Sequence, residues 1–531
     1  MEIYADKGVF RPGETITLTV VCESACRALV SVTSLERTIG EYTFDCLAGE
    51  NTAELPAVNC AFGGFGVLCR SNAGGEARCV FDVQEGRKAF RYGFLSDFAP
   101  GDGDGSDVLC MAKHHINAVQ FYDWSYRHDD LVAASDEYRD MMGKHNSLPV
   151  ILAKIASCRA RGMLSLGYGA VYAASRDYAE KYPEQRLYAG AEPITFIDTF
   201  SIMNLRSAWA EHIADEYRRA VSLGFDGIHM DTYGFPKTAL DSEGRTVHLE
   251  EDFPRIIRHT RAALPTKTLV FNNVGAWPME RTMREAVDAV YIEVWPPYDR
   301  YHHLKNLILS AKESGKSVVM AAYPAAFRTA GEREALYSQE ILACVFAAHG
   351  ATQLWFGEEN AAVTQGYYAD YSRLTEEAER TLRAYDDFFV RYEELFFDDE
   401  LCDVSMTHFL GENREYRCSL PASADGEPGK LWLILREKPG RKLISVINLC
   451  QEDSDRWAEA HRECAVQTDV GFDVQFFGKI QKIFTASPDR EGGDLREVEY
   501  RTIETPRGAE VHFTLPTLGR FAFVLLETEE N

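Results

Sequence analysis

The sequence predicts a multidomain chain built on a (β/α)8 TIM barrel, flanked at its N- and C-terminal ends by antiparallel β-sandwich domains. Three observations predict it. The 531 residues are too many for one ordinary domain. Both ends of the chain read as short alternating runs separated by turn signals. The middle alternates apolar runs with longer amphipathic stretches, the pattern of βα units around a parallel sheet.

Residues 1–88 read as an immunoglobulin-like sandwich. A turn at Arg11-Pro12-Gly13-Glu14 leads into the alternating run 15–20, and glycine pairs at 63–64 and 74–75 punctuate the later strands. Residues 89–398 read as the barrel. Its eight expected strands are 118–122, 164–168, a poorly defined third near 197–202, 227–230, 269–272, 289–292, 317–321 and 352–356, with helical stretches such as 207–223 and 304–314 between them. A doubly wound open sheet is the competing layout, but no strand is followed by GxGxxG or GxxxxGK[ST]. After a charged helix at 374–394, residues 399–531 return to strands at 430–435, 442–448, 470–477, 509–514 and 520–526, a second sandwich.

Charge narrows the partners. Lys+Arg 56 against Asp+Glu 82 gives a net charge of -26, which repels phosphate backbones and anionic lipids. No nucleic-acid or membrane partner is expected, and a neutral substrate is compatible. The 13 cysteines form no CxxC pair and read as reduced thiols. Cys22 and Cys26 are the closest pair, expected on one face of a strand-like segment. The N-terminus has neither a basic n-region nor an apolar h-region, so the chain as written reads as cytoplasmic, exported only if a leader has been removed.

Barrel chemistry sits at the C-terminal ends of the strands. The expected strands end in Gln120, Tyr122, Asp123 and Trp124; in Tyr168; in His229, Asp231 and Tyr233; in Asn272 and Asn273; in Glu293 and Trp295; in Tyr323; and in Trp355 and Glu358. Acids and amides suit sugar hydroxyls, and aromatic faces suit the apolar side of pyranose rings. Glycoside hydrolysis needs two carboxylates, one ionised and one protonated. Asp231 is short and follows a rigid strand, which suits a nucleophile. Glu293 lies among Ile292, Val294 and Trp295, which raise a carboxyl pKa and suit a general acid. Against this, a strand-end Asp more often caps the next helix, and Asp231-Thr232 and Asp123 fit that pattern too. His229 serves equally as a pocket residue or a satisfied core histidine. Adjacent pairs His114-His115 and His302-His303 project in different directions, so no metal and no cofactor is expected.

The stretch Arg91-Tyr92-Gly93-Phe94-Leu95-Ser96-Asp97-Phe98 and the run from Asn117 to Trp124, with Arg127 and His128, resemble glycoside hydrolase family 66. So do the run from Gly224 to Gly234 and Tyr291-Ile292-Glu293-Val294-Trp295. The resemblance covers nearly the whole chain. The family holds endo-dextranases and cycloisomaltooligosaccharide glucanotransferases. It implies a retaining mechanism on α-1,6-linked glucan (dextran or isomaltooligosaccharides), with Asp231 as nucleophile, Glu293 as acid/base and Asp123 binding hydroxyls near the cleavage point. The glucanotransferases typically carry an inserted carbohydrate-binding module, for which this chain lacks room, so hydrolysis with some transglycosylation is expected over cyclisation. The remaining readings are a non-catalytic glycan-binding protein on the same scaffold and another retaining α-glycosidase. Galactosidase-like barrels present Lys-x-Asp where this chain has His229-Met230-Asp231.

Overall fold

A computed structural model of the protein describes residues 1–366, 370–409, 415–476, 478–506 and 508–529. The central element is an eight-stranded parallel sheet: β1 (Tyr92–Leu95), β2 (Ala118–Phe121), β3 (Leu164–Ala170), β4 (Gly227–Asp231), β5 (Thr268–Val274), β6 (Ala289–Glu293), β7 (Ser317–Ala321) and β8 (Thr352–Gln353), neighbours in that order. A parallel bridge between Phe94 and Gly357, and a 2.7 Å hydrogen bond from Thr352 Oγ1 to the Phe90 carbonyl, bring the two edges together. This is the TIM barrel that the sequence predicts.

Two expected strands change. The first barrel strand is Tyr92–Leu95, which lies outside the eight that the sequence predicts. The third is not near 197–202: Phe200–Ile202 pairs with Ala173–Ser175 and Thr195–Phe196 in a small antiparallel sheet outside the barrel. Both runs are three or four residues long, too short for periodicity to tell a barrel strand from an excursion. The two errors offset each other in the count from β4 onward. Asp231 therefore ends the fourth strand and Glu293 the sixth, but Asp123 follows the second strand rather than the first.

The barrel strands are buried on both faces. One set of side chains, including Tyr92, Phe94, Leu166, Val270, Tyr291, Val319 and Leu354, fills the interior. The other set, including Phe121, Ile228, Met230, Leu269 and Phe271, packs outward beneath the helices. Tight strand packing explains Gly227, where a Cβ would lie 1.9 Å from the Thr268 carbonyl oxygen.

The N-terminal strands form two antiparallel sheets, one of three strands and one of four, around Ile16, Leu18, Val30, Val67 and Phe81. The C-terminal region forms two further sheets around Leu433, Val446, Phe472, Phe513 and Val524. The strand expected at 470–477 is Gln467–Phe476, and Phe477 lies outside the described residues. At the seam between the N-terminal sandwich and the barrel, half-buried Arg91 donates to Asp82 at 2.7 Å and to Glu393 at 2.8 Å. Between the barrel helix Tyr301–Lys312 and the C-terminal region, Tyr301 bonds His461 at 2.8 Å. No helix among the described residues is long and apolar enough to cross a membrane.

Candidate active site

Inward alternation on β4, β5, β6 and β7 places His229 and Asp231, Asn272, Tyr291 and Glu293, and Tyr323 on one open rim of the barrel. They line a cleft whose open space, solvent at its mouth included, is about 700 Å³. Asp231 does not act as a helix cap. Its Oδ2 accepts from the Tyr168 hydroxyl at 2.9 Å and its Oδ1 from Asn272 Nδ2 at 2.6 Å. The same Asn272 nitrogen donates to Glu293 Oε2 at 2.9 Å. Glu293 Oε1 accepts from the Tyr323 hydroxyl at 3.2 Å, and Trp295 supplies a further hydrogen bond. Gly366 presses from above: a Cβ there would meet Glu293 Oε1 at 2.5 Å and the Tyr323 hydroxyl at 2.7 Å.

No lysine or arginine lines the cleft among the described residues. Burial pushes the Asp231 carboxyl up to about 7, the charge of Glu293 adds to this, and the Asn272, Tyr168 and Thr232 donors pull the other way. Burial also raises Glu293, opposed by Asn272, Trp295 and Tyr323. Two carboxyls this close lose their protons as a pair: once one ionises, its charge holds the second proton on. Near neutral pH the site can thus carry one carboxylate and one carboxylic acid.

Asp123 sits on the same cleft in a left-handed conformation, φ 48°. Burial pushes its carboxyl up to about 7, Asp140 adds to the shift and Lys144 opposes it. Tyr122 packs edge-on to Tyr168 with centroids 5.1 Å apart, and Tyr233 stacks on Phe196 at 4.4 Å. His229 is held from below by the Tyr92 hydroxyl at 2.8 Å from Nδ1, and burial drives its pKa down to about 3, so the ring is neutral.

A family model, glycosyl hydrolase family 66, matches residues 5–525. The chain belongs to this family. It is similar to two cycloisomaltooligosaccharide glucanotransferases of Niallia circulans, each 20% identical over 99% of this chain, and covers 71% of one and 72% of the other. Their 698 aligned positions exceed the 531 residues here, so the relatives carry residues within the matched span that have no counterpart in this chain. Among solved structures, a Paenibacillus sp. cycloisomaltooligosaccharide glucanotransferase complexed with cycloisomaltoheptaose superposes with a TM-score of 0.90, 20% identity and 99% of both chains covered. A maltogenic α-amylase of Thermotoga neapolitana reaches 0.53 at 11% identity, covering 83% of this chain and 99% of that one.

Within this family 66 chain, four expected site residues lie elsewhere. Trp124 is fully buried, packed on Phe225, and donates to the Tyr168 carbonyl at 3.1 Å. Asn273 points out of the barrel, donating to the Tyr291 carbonyl at 2.8 Å and accepting from Thr282. Trp355 also faces outward, against His114 and Phe356. Glu358 is 1% exposed and accepts from the backbone amides of Ser96 and Asp97 and from the Ser96 hydroxyl, joining the loops after β1 and β8. The reason is common to Asn273 and Trp355. A barrel strand is buried on both faces, so its sequence does not announce which face looks inward.

Residues that sequence reasoning did not single out complete the cleft. His128 stacks on Phe200 at 4.5 Å, burial drives its pKa down to about 4, and its Nδ1 has no hydrogen-bond partner. The Oε1 of Gln120, which the sequence does single out, is likewise unsatisfied. Phe196, Ile197 and Phe200 arrive from the excursion after β3. The Arg127-His128 motif was the available signal for His128; nothing in the sequence directed the excursion to the cleft.

His114 and His115 bind Asp386 and Asp387, at 2.7 and 2.6 Å, tying the barrel to helix Glu376–Arg391. Among the described residues one group has ligand-like spacing, Asp473, Glu510 and His512, and Arg417 already bridges its two carboxylates.

Proposed function

We propose that this family 66 chain cleaves α-1,6-linked glucan, dextran or isomaltooligosaccharide, with retention of configuration, Asp231 as nucleophile and Glu293 as acid/base. The Asn272 bridge carries the reading. One nitrogen bonded to both carboxylates keeps the two bonded oxygens no more than about 5.5 Å apart, which favours the ~5–5.5 Å carboxyl separation of retaining pairs over the roughly 6.5–9.5 Å that admits water in inverting ones. Glu293 protonates the glycosidic oxygen as Asp231 attacks the anomeric carbon, forming a β-linked glycosyl ester and releasing the leaving sugar. Glu293 then takes a proton from water, whose oxygen attacks the anomeric carbon from the opposite face, breaks its bond to the Asp231 oxygen and frees the carboxylate. Asp123, the neutral His128 and Gln120 have atoms free for substrate hydroxyls, and Tyr122, Tyr233 and Phe196 offer ring faces.

A sugar hydroxyl in place of water gives transglycosylation, and a hydroxyl of the same chain gives a cyclic product. The relatives' names favour that second outcome. The residues they hold within the matched span, missing here, favour hydrolysis with linear products. Digestion of dextran and of short isomaltooligosaccharides, with products resolved by mass, decides between them. Linear products dominate on our reading, cyclic ones on the alternative. The starting configuration of the new reducing end, read by NMR within the first turnovers, must be α; an initial β product excludes Asp231 as nucleophile.

A further inference from the structure

Six of the 13 cysteines fall within the N-terminal sandwich; Cys22, Cys26 and Cys46 converge at one edge, with the fully buried Cys69 behind them. Cys22 ends the strand Ile16–Cys22 of one sheet. Cys26 opens the strand Cys26–Ser34 of the other sheet, so the pair spans the turn between sheets instead of sharing a strand face as the sequence suggests. The Cys26 thiol donates to Cys22 Sγ at 3.6 Å. Cys46 is the register partner of Cys26 on the adjacent strand and interacts with both thiols. Cys22 and Cys46 are each 4% exposed, whereas Cys26 is half-buried and meets solvent.

We propose that Cys22 and Cys26 form a redox-active dithiol, entered through Cys26 and closed by Cys22, that takes up a low-molecular-weight disulfide as oxidant. The Cys26 thiolate, its proton released to water, attacks one sulfur of the external disulfide and expels the other as a thiolate, leaving a mixed disulfide. Cys22 then loses its proton and attacks Cys26 Sγ, and the second external thiol departs. Two protein thiols are oxidised and one external disulfide is reduced to two thiols, so atoms and electrons balance. Exposure decides the order, because an incoming disulfide must reach the attacking sulfur in line. Proximity decides the partner. The two sulfurs are in contact before reaction, and the three-residue turn between them lets closure proceed by small rotations about the Cα–Cβ bonds. Burial raises the Cys26 and Cys46 thiols above their ordinary range, which makes this a slow dithiol rather than a catalytic one. Once closed, the bridge staples the two sheets at the end where the chain passes between them.

The test uses the full chain incubated with oxidised glutathione and then mapped as non-reduced peptides. The expected product is a Cys22–Cys26 linkage with the loss of two hydrogen atoms in mass. Exposed Cys402 is the internal control: it takes up glutathione without closing on a neighbour. In Cys22→Ser the reaction stops at the mixed disulfide on Cys26, and in Cys26→Ser neither Cys22 nor Cys46 is modified at a comparable rate. Dextran cleavage is the same before and after closure, since the dithiol is remote from the cleft. A Cys26–Cys46 linkage in the wild type, or a persistent glutathione adduct on Cys26 with Cys22 intact, overturns the proposal. So does modification confined to Cys402.

Discussion

Two pairs of carboxylates among the described residues are held in opposite ways. At the seam beneath the barrel, Asp82 and Glu393 are 1% and 0% exposed, and Arg91 sits between them with charge-assisted bonds to both. At the open rim, Asp231 and Glu293 are half-buried, and their donors are neutral: Asn272, Tyr168, Tyr323 and Trp295. A cation between two carboxylates ties them into a salt-bridged cluster that serves cohesion, even though burial and the charge of Asp82 raise the Glu393 carboxyl well above its ordinary value. Neutral donors hold the geometry while leaving the proton mobile. The difference marks which buried acids can do chemistry.

Substitution at the rim gives the largest effect. Asp231→Asn and Glu293→Gln each lower kcat on dextran by at least about a hundredfold, the lower end of what a positioned acid or base supplies, with little change in thermal midpoint. Reducing-end release measured beside a melting curve checks both halves. The seam should behave in the reverse way. Arg91→Met strands Asp82 and Glu393 without their cation and costs about 3–5 kcal/mol of stability. The folded fraction should keep its kcat. A rim variant that melts early, or a seam variant that stays folded and loses turnover, breaks the comparison.

Much of this layout is legible in the sequence, and the parts that are not share a physical cause. Strands β4 to β7 each combine an apolar run with a polar terminus, which is why Asp231, Asn272, Glu293 and Tyr323 stand out at the right end of the barrel. β1 is four residues long and carries no alternation, so it reads as a motif rather than a strand. Face is the harder question. Trp124 and Trp355 look like sugar platforms at strand ends, but both turn outward into the core. Glu358 looks like a third acid, and is instead held by backbone amides. His128 and Phe200 meet only through the fold, since no local pattern ties residues 72 apart in sequence to one stacked pair.

The adjacent amides on β5 sharpen the same contrast on a smaller scale. Asn272→Ala removes the one nitrogen that spans both carboxylates, and kcat/KM should fall roughly ten- to a hundredfold, as for a lost charge-assisted bond worth about 1.5–3 kcal/mol. Asn273→Ala instead frees the Tyr291 carbonyl and the Thr282 hydroxyl. It should lower the melting midpoint and leave kcat/KM within about twofold of wild type. Exchange of these two outcomes would mean that β5 turns its other face inward.

The smallest effects come from single hydroxyls, and their signs separate the two carboxyls. The proposed mechanism requires one proton on the pair, so kcat/KM against pH should be bell-shaped, with the acid limb set by the first ionisation and the alkaline limb by the second. Tyr168 donates to Asp231 and stabilises its charged form. With Asp231 ionising first, as the proposed roles require, Tyr168→Phe raises the first pKa, moves the acid limb to higher pH and narrows the bell; the two limbs exchange if Glu293 ionises first, the order that its charge acting on Asp231 implies. Tyr323 donates to Glu293. Tyr323→Phe raises the second pKa, moves the alkaline limb up and widens it. Each shift should be under about one unit, the scale of a single neutral hydrogen bond of roughly 0.5–1.5 kcal/mol. If both variants move the same limb, the charge is shared between Asp231 and Glu293 in the free enzyme, and their roles divide only once substrate is bound.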